Sequence, residues 1–516
     1  MKDSASDSIS VIGGIVTTPI QQKIRDKTIT AAQWADMVKD NDWIYPGMVG
    51  GDSTACIEEL GLRLGDGPGQ VKNIELWACL CMIPPRNMFD ADREEKYHCL
   101  HDVFFTSAMR ERHDKYGIYD WNHWAWSFGS WTRFYRWYHK ERSKRALDWF
   151  ITAVSPPEFG YFNFSFGTSE ALMYTKCAKK IVLEVRDDYP WAEPGANNLI
   201  HIDEVDYLVE VDCEKYPWPQ IPEAKPKAVE EKIAANCLSI MDNGDCIQLG
   251  IGALPTAIAR ALANKGLKHL GIHTEMMQEG LMTLIESGSV DNSLKPFDRG
   301  RSVWSFAIPI NHKRYYDFVH RNPALAVYDV AYTNNGNVTS RIDNMVGINN
   351  CVAIDLYGQV CAGQYEGRTI SGSGGLWDFV TWCQTAKGGR SIVAMTSRSK
   401  HNTSRILSEL PKGSIVDVPA QTTAWVATEY GIVCLRGLTG YERAKALISI
   451  AHPDDREHLE EEAYRLKLLP KNFPVPMWPP EERRYPDFIK ERKDWKMPYN
   501  SILWGYDFND DGWSGK

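Results

Sequence analysis

The feature that most constrains this chain is a proline-rich segment near its middle, YPWPQIPEAKPK at residues 216–227. Because proline has no amide hydrogen and fixes φ, four prolines this close together cannot continue a helix or a central strand. The segment therefore predicts a linker, and 516 residues are enough for more than one core. We expect domains over residues 1–215 and 225–470, followed by a C-terminal tail over 471–516 that wraps the surface.

Both halves have the pattern of α/β domains. In the second half, DCIQLGI predicts a short strand that runs into glycines. PTAIARALANKG then predicts a helix with Pro255 near its start and Gly266 at its end. Further short apolar runs alternate with helical stretches, which indicates a largely parallel sheet.

The two halves resemble each other at one place. NDWIYPGMVGG and NGDCIQLGIG share an ungapped order of Asp, Ile and Gly, each followed by a helical stretch. This indicates either an ancient duplication or a chance likeness, since the strand–glycine–helix unit is common. The aligned residues are Asp42, Ile44 and Gly47 in the first half and Asp245, Ile247 and Gly250 in the second.

Composition excludes several classes of partner. The net charge of −9 disfavours binding to nucleic acid or to an anionic membrane, both of which need basic patches. No apolar run is long enough to cross a bilayer, and the N-terminus lacks the pattern of a secretory signal. The 12 cysteines include no CxxC pair, which is typical of free thiols in a reducing compartment. We expect a cytoplasmic protein.

A tryptophan-rich block occupies residues 116–150. Tryptophan and tyrosine are enriched in interfaces and large aromatic cores. We therefore interpret the block as a core or subunit contact in preference to a substrate pocket.

The segment LGIGALP, residues 249–255, lies between the predicted strand and helix. Gly250 and Gly252 permit a tight turn, and the helix N-terminus after them presents unpaired N–H groups to an anion. The segment lacks the third glycine of the GxGxxG dinucleotide pattern. On its own it is more often a plain strand–helix turn than a ligand loop.

The segment GIHTEMMQEG, residues 271–280, ends a predicted strand at Glu275. Open α/β sheets bind ligands at the carboxyl ends of their strands, so Glu275 could be a base, a nucleophile or a metal ligand. His273 shares its face of the strand if the strand extends that far. Position alone favours a solvated glutamate that caps a helix.

The segment ISGSGGLWDF, residues 370–379, is a third glycine-rich loop. Its backbone donors can wrap an anion or a pantetheine arm, although a surface turn is the plain alternative. No metal site is predicted, because His98 and His101 have helical ligand spacing but no third ligand nearby. No cysteine lies in a glycine-flanked turn beside a basic group, as a nucleophilic cysteine would.

Taken in order, these segments resemble the acetyl-CoA hydrolase/transferase family, which includes 4-hydroxybutyrate, acetate and butyrate CoA-transferases. The similarity is carried by LGIGALP, GIHTEM, INNCVAIDLYGQV, ISGSGGLWDF, TEYG and ERAKALISIAHP, between about residues 230 and 465. SPPEFGYFNF, KKIVLEV and IHIDEVDYLVE carry it more weakly in the first half. The resemblance implies two similar open α/β domains of the CoA-transferase (NagB/RpiA-like) type, with the active site between them.

The resemblance also implies a role for particular residues. Glu275 matches the catalytic glutamate, which forms a glutamyl thioester with coenzyme A. The N–H groups of Leu254 and Gly375 match the two oxyanion donors, and Glu429 resembles a supporting carboxylate near the pocket. The residues that match CoA-binding or active-site positions are Gly250, Ile251, Gly252, Ala253, Leu254, Asn349, Ser371, Gly374 and Gly375.

The expected function is therefore a ping-pong CoA-transferase that acts on acyl-CoA and small carboxylic acids, with coenzyme A as a substrate, no permanently bound cofactor and a homodimeric assembly. An acyl-CoA hydrolase with the same glutamyl intermediate is the nearest alternative. A non-catalytic CoA-binding or other ligand-binding protein on the same scaffold is the alternative of a different class. Leu376 and Trp377 depart from the family pattern and suggest an acid bulkier or more apolar than acetate.

Overall fold

The computed structural model describes residues 10–12, 15–81, 88, 91–117, 125–127, 146–218, 225–250, 252–309 and 311–472. The chain divides into two compact units, the first formed by residues 1–122, 128–223 and 305–331 and the second by the remainder. The sequence analysis placed 305–331 in the second domain, whereas this segment packs with the first unit. Most of the tryptophan-rich block, the linker centre and nearly all of the tail lie outside the described residues.

The first unit is built on a six-stranded parallel sheet. Its spatial order is β6-β5-β4-β1-β2-β3, and every neighbouring pair is parallel. The apolar residues of these strands pack against flanking helices in a core that includes Trp34, Ile44 and Ile151. The strands are β1 (Trp43–Tyr45), β2 (Ile74–Ala78), β3 (His98–Asp102), β4 (Leu147–Val154), β5 (Ala178–Val185) and β6 (Tyr207–Glu210).

Shorter elements complete the first unit. The helices are Pro19–Lys27, Ala31–Met37, Ala55–Gly61, Ser107–Tyr116, Thr168–Thr175 and His312–Val319, with single 3₁₀ turns at Ser165–Gly167 and Ile202–Glu204. The additional strands are Ser10–Ile12, Ile15–Thr17, Tyr161–Asn163, Pro194–Ala196, Leu199–His201, Phe306–Ala307 and Leu325–Tyr328.

The second unit contains a six-stranded sheet in the order β8-β7-β9-β10-β11-β12, parallel except for its last strand. Its main core includes Val393, Val426 and Leu447. The sequence analysis predicted a largely parallel sheet, and this prediction is confirmed. The strands are β7 (Cys246–Leu249), β8 (Gly271–Ile272), β9 (Met345–Asn349), β10 (Arg390–Ala394), β11 (Trp425–Thr428) and β12 (Gly431–Cys434).

The helix that follows β7 spans Ala253–Lys265 and ends, as predicted, at Gly266 with φ +73°. The other helices of this unit are Ala228–Leu238, Glu279–Glu286, Gly336–Thr339, Leu376–Cys383, Gly440–Ser449 and Pro453–Arg465. The short helix Val330–Thr333 lies across the unit boundary, just before Gly336–Thr339 in the chain. The remaining strands are Met276–Met277, Ser302–Trp304, Ala353–Asp355, Val360–Cys361, Gln364–Tyr365, Arg368–Thr369 and Ile406–Leu407.

The two sheets repeat one topology, which supports the duplication suggested by the sequence. In the first unit β1 lies between β2 and β4, followed by β5 and β6; in the second, β7 lies between β8 and β9, followed by β10 and β11. The chain therefore adds strands on one side of β1 and of β7 first, and later on the other side. The switch point lies between β1 and β4 in the first unit and between β7 and β9 in the second. Open α/β sheets bind ligands at the carboxyl ends of the strands at such a switch point.

In the first unit a buried carboxylate fills the start of the helix Ala55–Gly61. Glu184 accepts hydrogen bonds from the hydroxyl of Ser53 (2.5 Å) and from the backbone N–H groups of Thr54, Ala55 and Cys56 at 2.8, 3.2 and 2.8 Å. Glu184 is fully buried. The helix donors that could bind an external anion are therefore satisfied from within the protein.

The histidines of HCLH lie on a strand, so the helical spacing considered for them is wrong. His98 is buried and pairs with Asp92 at 2.9 Å, and His101 stacks on Trp77 with ring centroids 4.2 Å apart. Within the described residues, no group of three or more His, Cys, Asp or Glu side chains could hold a metal ion. No helix in the same residues has the length and apolar character needed to cross a bilayer.

We predict that Glu184→Gln lowers the free energy of unfolding by roughly 2–4 kcal/mol, because the amide leaves buried N–H donors unpaired. Urea denaturation of the purified protein measures the change. Asp203→Asn is the control, since the Lys23–Asp203 pair is about half exposed and should contribute nothing measurable. Equal stability of Glu184→Gln and wild type would contradict the structural role of Glu184.

Candidate active site

The second unit places a glutamate just beyond the carboxyl end of β8. The strand ends at Ile272, so the extended face that His273 and Glu275 would share does not reach Glu275. His273 is fully buried, and its Nε2 lies 2.8 Å from the carbonyl oxygen of Thr333. Burial lowers the pKa of His273 to about 3, so this imidazole is neutral and does not act as an acid near neutral pH.

The Glu275 side chain is half-buried and rests directly on the backbone of Gly375. A Cβ at residue 375 would collide with Glu275 Oε2 and would come within 2.6 Å of Asn334 Nδ2. Gly375 immediately precedes the helix Leu376–Cys383, and the glycine-rich loop before it includes Gly374 with φ +53°. Only glycine at position 375 leaves room for this carboxylate.

Asn334 holds the Glu275 carboxylate from the other side. Its Nδ2 donates to Glu275 Oε2 at 2.5 Å and to Asp378 Oδ2 at 3.2 Å, while its Oδ1 accepts from the Thr333 hydroxyl at 3.0 Å. Asn334 is fully buried. Because the amide nitrogen bridges two carboxylates and the amide oxygen faces a hydroxyl, the orientation of the amide is fixed.

Asp378 lies in the first turn of the helix Leu376–Cys383 and is fully buried. The backbone N–H of Ser127 donates to its Oδ2 at 3.0 Å, and the Ser127 hydroxyl donates to its Oδ1 at 2.5 Å. Burial raises the pKa of Asp378 to about 6, although these hydrogen bonds act in the opposite direction.

The loop between β7 and its helix has the expected position at the switch point. Gly250 donates to Ile348 on β9 at 3.0 Å, and its carbonyl accepts from Gln278 Nε2 at 3.0 Å. Gln278 follows Glu275 by three residues and therefore ties the glutamate segment to this loop. Gly252 has φ +119°, a conformation in which L side chains are strained.

The start of the helix Ala253–Lys265 carries the predicted oxyanion donor. Ala253 and Leu254 are its first residues, and the first N–H groups of an α-helix have no partner within the helix. No acidic side chain occupies its first turn. Ile251 lies outside the described residues.

Asn349 ends β9, next to Gln248 on β7. The two buried amides hydrogen-bond reciprocally, at 3.1 and 3.3 Å. The expected role of Asn349 as an active-site asparagine stays a prediction. The amide that contacts the Glu275 carboxylate in this structure is that of Asn334.

Ser371 and Glu429 contact other residues of the same unit. Ser371 is buried at the start of the glycine-rich loop, where its N–H donates to Gly363 at 3.1 Å. Glu429 follows β11, and its carboxylate accepts from the N–H and hydroxyl of Ser397 at 2.9 and 2.6 Å. The recorded contacts therefore assign Glu429 to the loop after β10; its supporting role stays a prediction.

Sequence reasoning missed Asn334, Gln278 and Gln248 as parts of the site. One signal was available, because a glutamine in the middle of the apolar strand DCIQLGI needs a polar partner once it is buried. Asn334 follows a short helix and gave no comparable signal. Its role depends on a contact with a residue 59 positions away in the chain.

An α/β protein with a half-buried carboxylate that is seated on a glycine-rich loop is the class that this geometry defines. Residues 21–219 match the family described as acetyl-CoA hydrolase/transferase N-terminal domain, and residues 312–463 match its C-terminal domain. The chain belongs to the acetyl-CoA hydrolase/transferase family. The expected family and the expectation of an enzyme are confirmed.

This chain is similar to two curated relatives over most of their length. A probable butyrate:acetyl-CoA coenzyme A-transferase of Syntrophomonas wolfei is 37% identical over 325 residues, 62% of this chain and 72% of the relative. A succinyl-CoA:cyclohexane-1-carboxylate CoA transferase of Geobacter metallireducens is 32% identical over 456 residues, 87% of this chain and 98% of the relative.

The fold also matches a solved structure. The crystal structure of a 4-hydroxybutyrate CoA-transferase from Porphyromonas gingivalis superposes with a TM-score of 0.67 at 30% identity, covering 86% of this chain and 99% of that one. The expected fold class, two α/β domains of the CoA-transferase type, is confirmed.

We predict that Gly375→Ala displaces the Glu275 carboxylate by about an ångström or more, enough for a large loss of activity. A crystal structure of the variant measures the displacement. Gly440→Ala is the matched control, because a Cβ at Gly440 meets nothing within 4 Å. A Glu275 carboxylate that keeps its contact with Asn334 in the Gly375→Ala variant would contradict this account of the site.

Proposed function

We propose that the protein is an acyl-CoA:carboxylate CoA-transferase that works by a ping-pong mechanism through a glutamyl-CoA thioester on Glu275. The observation that carries the proposal is the half-buried Glu275 carboxylate, seated on Gly375 and held by Asn334. Family membership and the names of the relatives support the reaction class.

The first half-reaction uses the carboxylate as nucleophile. Glu275 attacks the acyl-CoA carbonyl, and loss of the CoA thiolate gives a mixed anhydride. The thiolate then attacks the glutamyl carbonyl, which forms the glutamyl-CoA thioester and releases the first carboxylate. An incoming carboxylate attacks that thioester and reverses the sequence, so that a new acyl-CoA leaves and Glu275 is restored.

Each tetrahedral intermediate carries an oxyanion that needs N–H donors. We assign this role to the N–H groups of Leu254 and Gly375, at the starts of their respective helices. By the family resemblance, we propose that coenzyme A contacts Gly250, Ile251, Gly252, Ala253, Ser371 and Gly374. Binding energy from the remote parts of coenzyme A would orient the thioester.

The position of Asn334 suits a nucleophile that must stay reactive. An amide donor orients the Glu275 carboxylate through one oxygen without placing a full positive charge beside it. The Asn349 amide hydrogen-bonds with Gln248, so we propose that the two amides shape the switch point.

The substrate class is part of the proposal. Coenzyme A enters as a substrate, and the acids are small carboxylates. Leu376 is buried in the core of the unit, and Trp377 packs edge-on against Trp382 at 5.7 Å. A cyclohexane carboxylate is the acid named for one relative, which is consistent with an acid more apolar than acetate.

We also propose that the protein is cytoplasmic and that it forms a homodimer.

Hydrolysis is the second candidate, because the family includes hydrolases by description. The two functions differ in what attacks the glutamyl thioester. A transferase needs an acceptor carboxylate, whereas a hydrolase consumes acyl-CoA at full rate in water alone.

We predict that acyl-CoA without an acceptor leaves a CoA adduct on wild-type protein, detected by intact-protein mass spectrometry, and that borohydride reduction marks Glu275 in peptide maps. Glu275→Gln should form no adduct and lose about 10³-fold or more of its exchange rate. Glu279→Gln, four residues downstream, is the matched control. A modified peptide elsewhere, or a normal exchange rate in Glu275→Gln, would refute the proposal.

We further predict that repeated turnover of acyl-CoA requires an acceptor carboxylate. The assay combines several acyl-CoA donors with a series of linear and cyclic carboxylates and identifies products by mass spectrometry. Exchange with apolar acids should exceed exchange with acetate. Loss of acyl-CoA at full rate without any acceptor would favour the hydrolase.

A further inference from the structure

A segment of the tryptophan-rich block reaches the hydrogen-bond network behind Glu275. Residues 125–127 are the described part of its middle, and they belong to the second unit. Ser127 contacts Asp378 across 251 positions of sequence. Nothing in the motifs that define the family points to this contact.

The contacts form one continuous chain. Ser127 donates twice to Asp378, Asp378 accepts from Asn334, and Asn334 donates to Glu275. Ser127, Asp378 and Asn334 are buried, at 8%, 0% and 0% exposure. Water therefore cannot easily replace a missing member of the chain.

Asp378 and the Thr333 hydroxyl together set which way the Asn334 amide faces. A turned amide would aim its oxygen at the Glu275 carboxylate. The ionised Asp378 accepts from Asn334 Nδ2 and so favours the orientation that donates to Glu275. A protonated Asp378 would lose this preference.

We propose that Ser127 and Asp378 are positioning residues that hold Asn334, and through it Glu275, in the geometry for attack on the thioester. The inference rests on the proposed function of Glu275. It gives residues 125–127 of the tryptophan-rich block a role at the site.

Few charged side chains lie on the elements that pack against the helix of Asp378. The helix Leu376–Cys383 packs against β9, β10 and the helix Gly336–Thr339. Among those elements Arg390 carries the one charge, and it pairs with Asp245 at the amino end of β10. Glu275, beyond the Asn334 amide, is the carboxylate that faces Asp378 from the site. The Ser127 donors, together with the Asn334 amide and the Trp126 backbone, therefore oppose the effect of burial and favour the ionised form of Asp378.

The sign of the pH dependence follows. Burial raises the pKa of Asp378 to about 6, so wild-type adduct formation should decline as pH falls through that value. The Ser127 hydroxyl stabilises the ionised form. Its removal should move the midpoint of the decline upward by about one pH unit, with KM for acyl-CoA unchanged.

The test measures the rate of CoA-adduct formation on Glu275 against pH, by rapid quench and mass spectrometry. Ser127→Ala should raise the midpoint, Ser127→Thr should restore it, and Asp378→Asn should lower the rate at every pH and abolish the titration. Ser391→Ala is the matched control, because Ser391 is a buried serine of the same unit whose hydroxyl has no hydrogen-bond partner.

The outcomes separate this inference from the proposed function. A wild type that forms no adduct would overturn both. A wild type that forms the adduct, with a Ser127→Ala variant that is slower at every pH but keeps the wild-type midpoint, would leave the function standing and overturn the positioning role.

Discussion

The structure of the site depends on one missing side-chain atom, the Cβ that Gly375 lacks. The Glu275 carboxylate occupies that space and meets Asn334 at its edge. Any other residue at position 375 would push the carboxylate out of its contact with the amide. The same glycine immediately precedes the helix whose first turn carries Asp378, so one short segment sets the positions of both Glu275 and Asp378 relative to the Asn334 amide.

The two units share one topology but differ at the start of the helix that follows β1 or β7. Ile44 pairs with Leu76 as Ile247 pairs with Ile272, so the position equivalent to Glu275 in the first unit is the buried Cys79. In that unit Glu184 also satisfies the N–H groups at the helix start. The corresponding helix of the second unit, Ala253–Lys265, has no acidic residue in its first turn, and its N–H groups are the ones that we propose to bind a substrate.

Local patterns were readable in the sequence, and distant pairings were not. The strand, glycine turn and helix from Cys246 to Gly266 are encoded within about two dozen residues, and they were predicted correctly. Glu275 was identified through its family motif, since position alone favoured a helix cap. Asn334 and Ser127 act through partners far along the chain, and no short-range periodicity reports such contacts.

The chemistry of the buried network explains why an amide, and not a cation, stands beside the nucleophile. A lysine or arginine between Asp378 and Glu275 would compensate both charges, but it would stabilise the resting carboxylate more than the neutral anhydride that attack produces. Asn334 separates the two carboxylates with one N–H bond to each and brings no charge of its own. Asp378 is the fully buried carboxylate of the pair, and burial raises its pKa, whereas Glu275, the proposed nucleophile, is only half-buried.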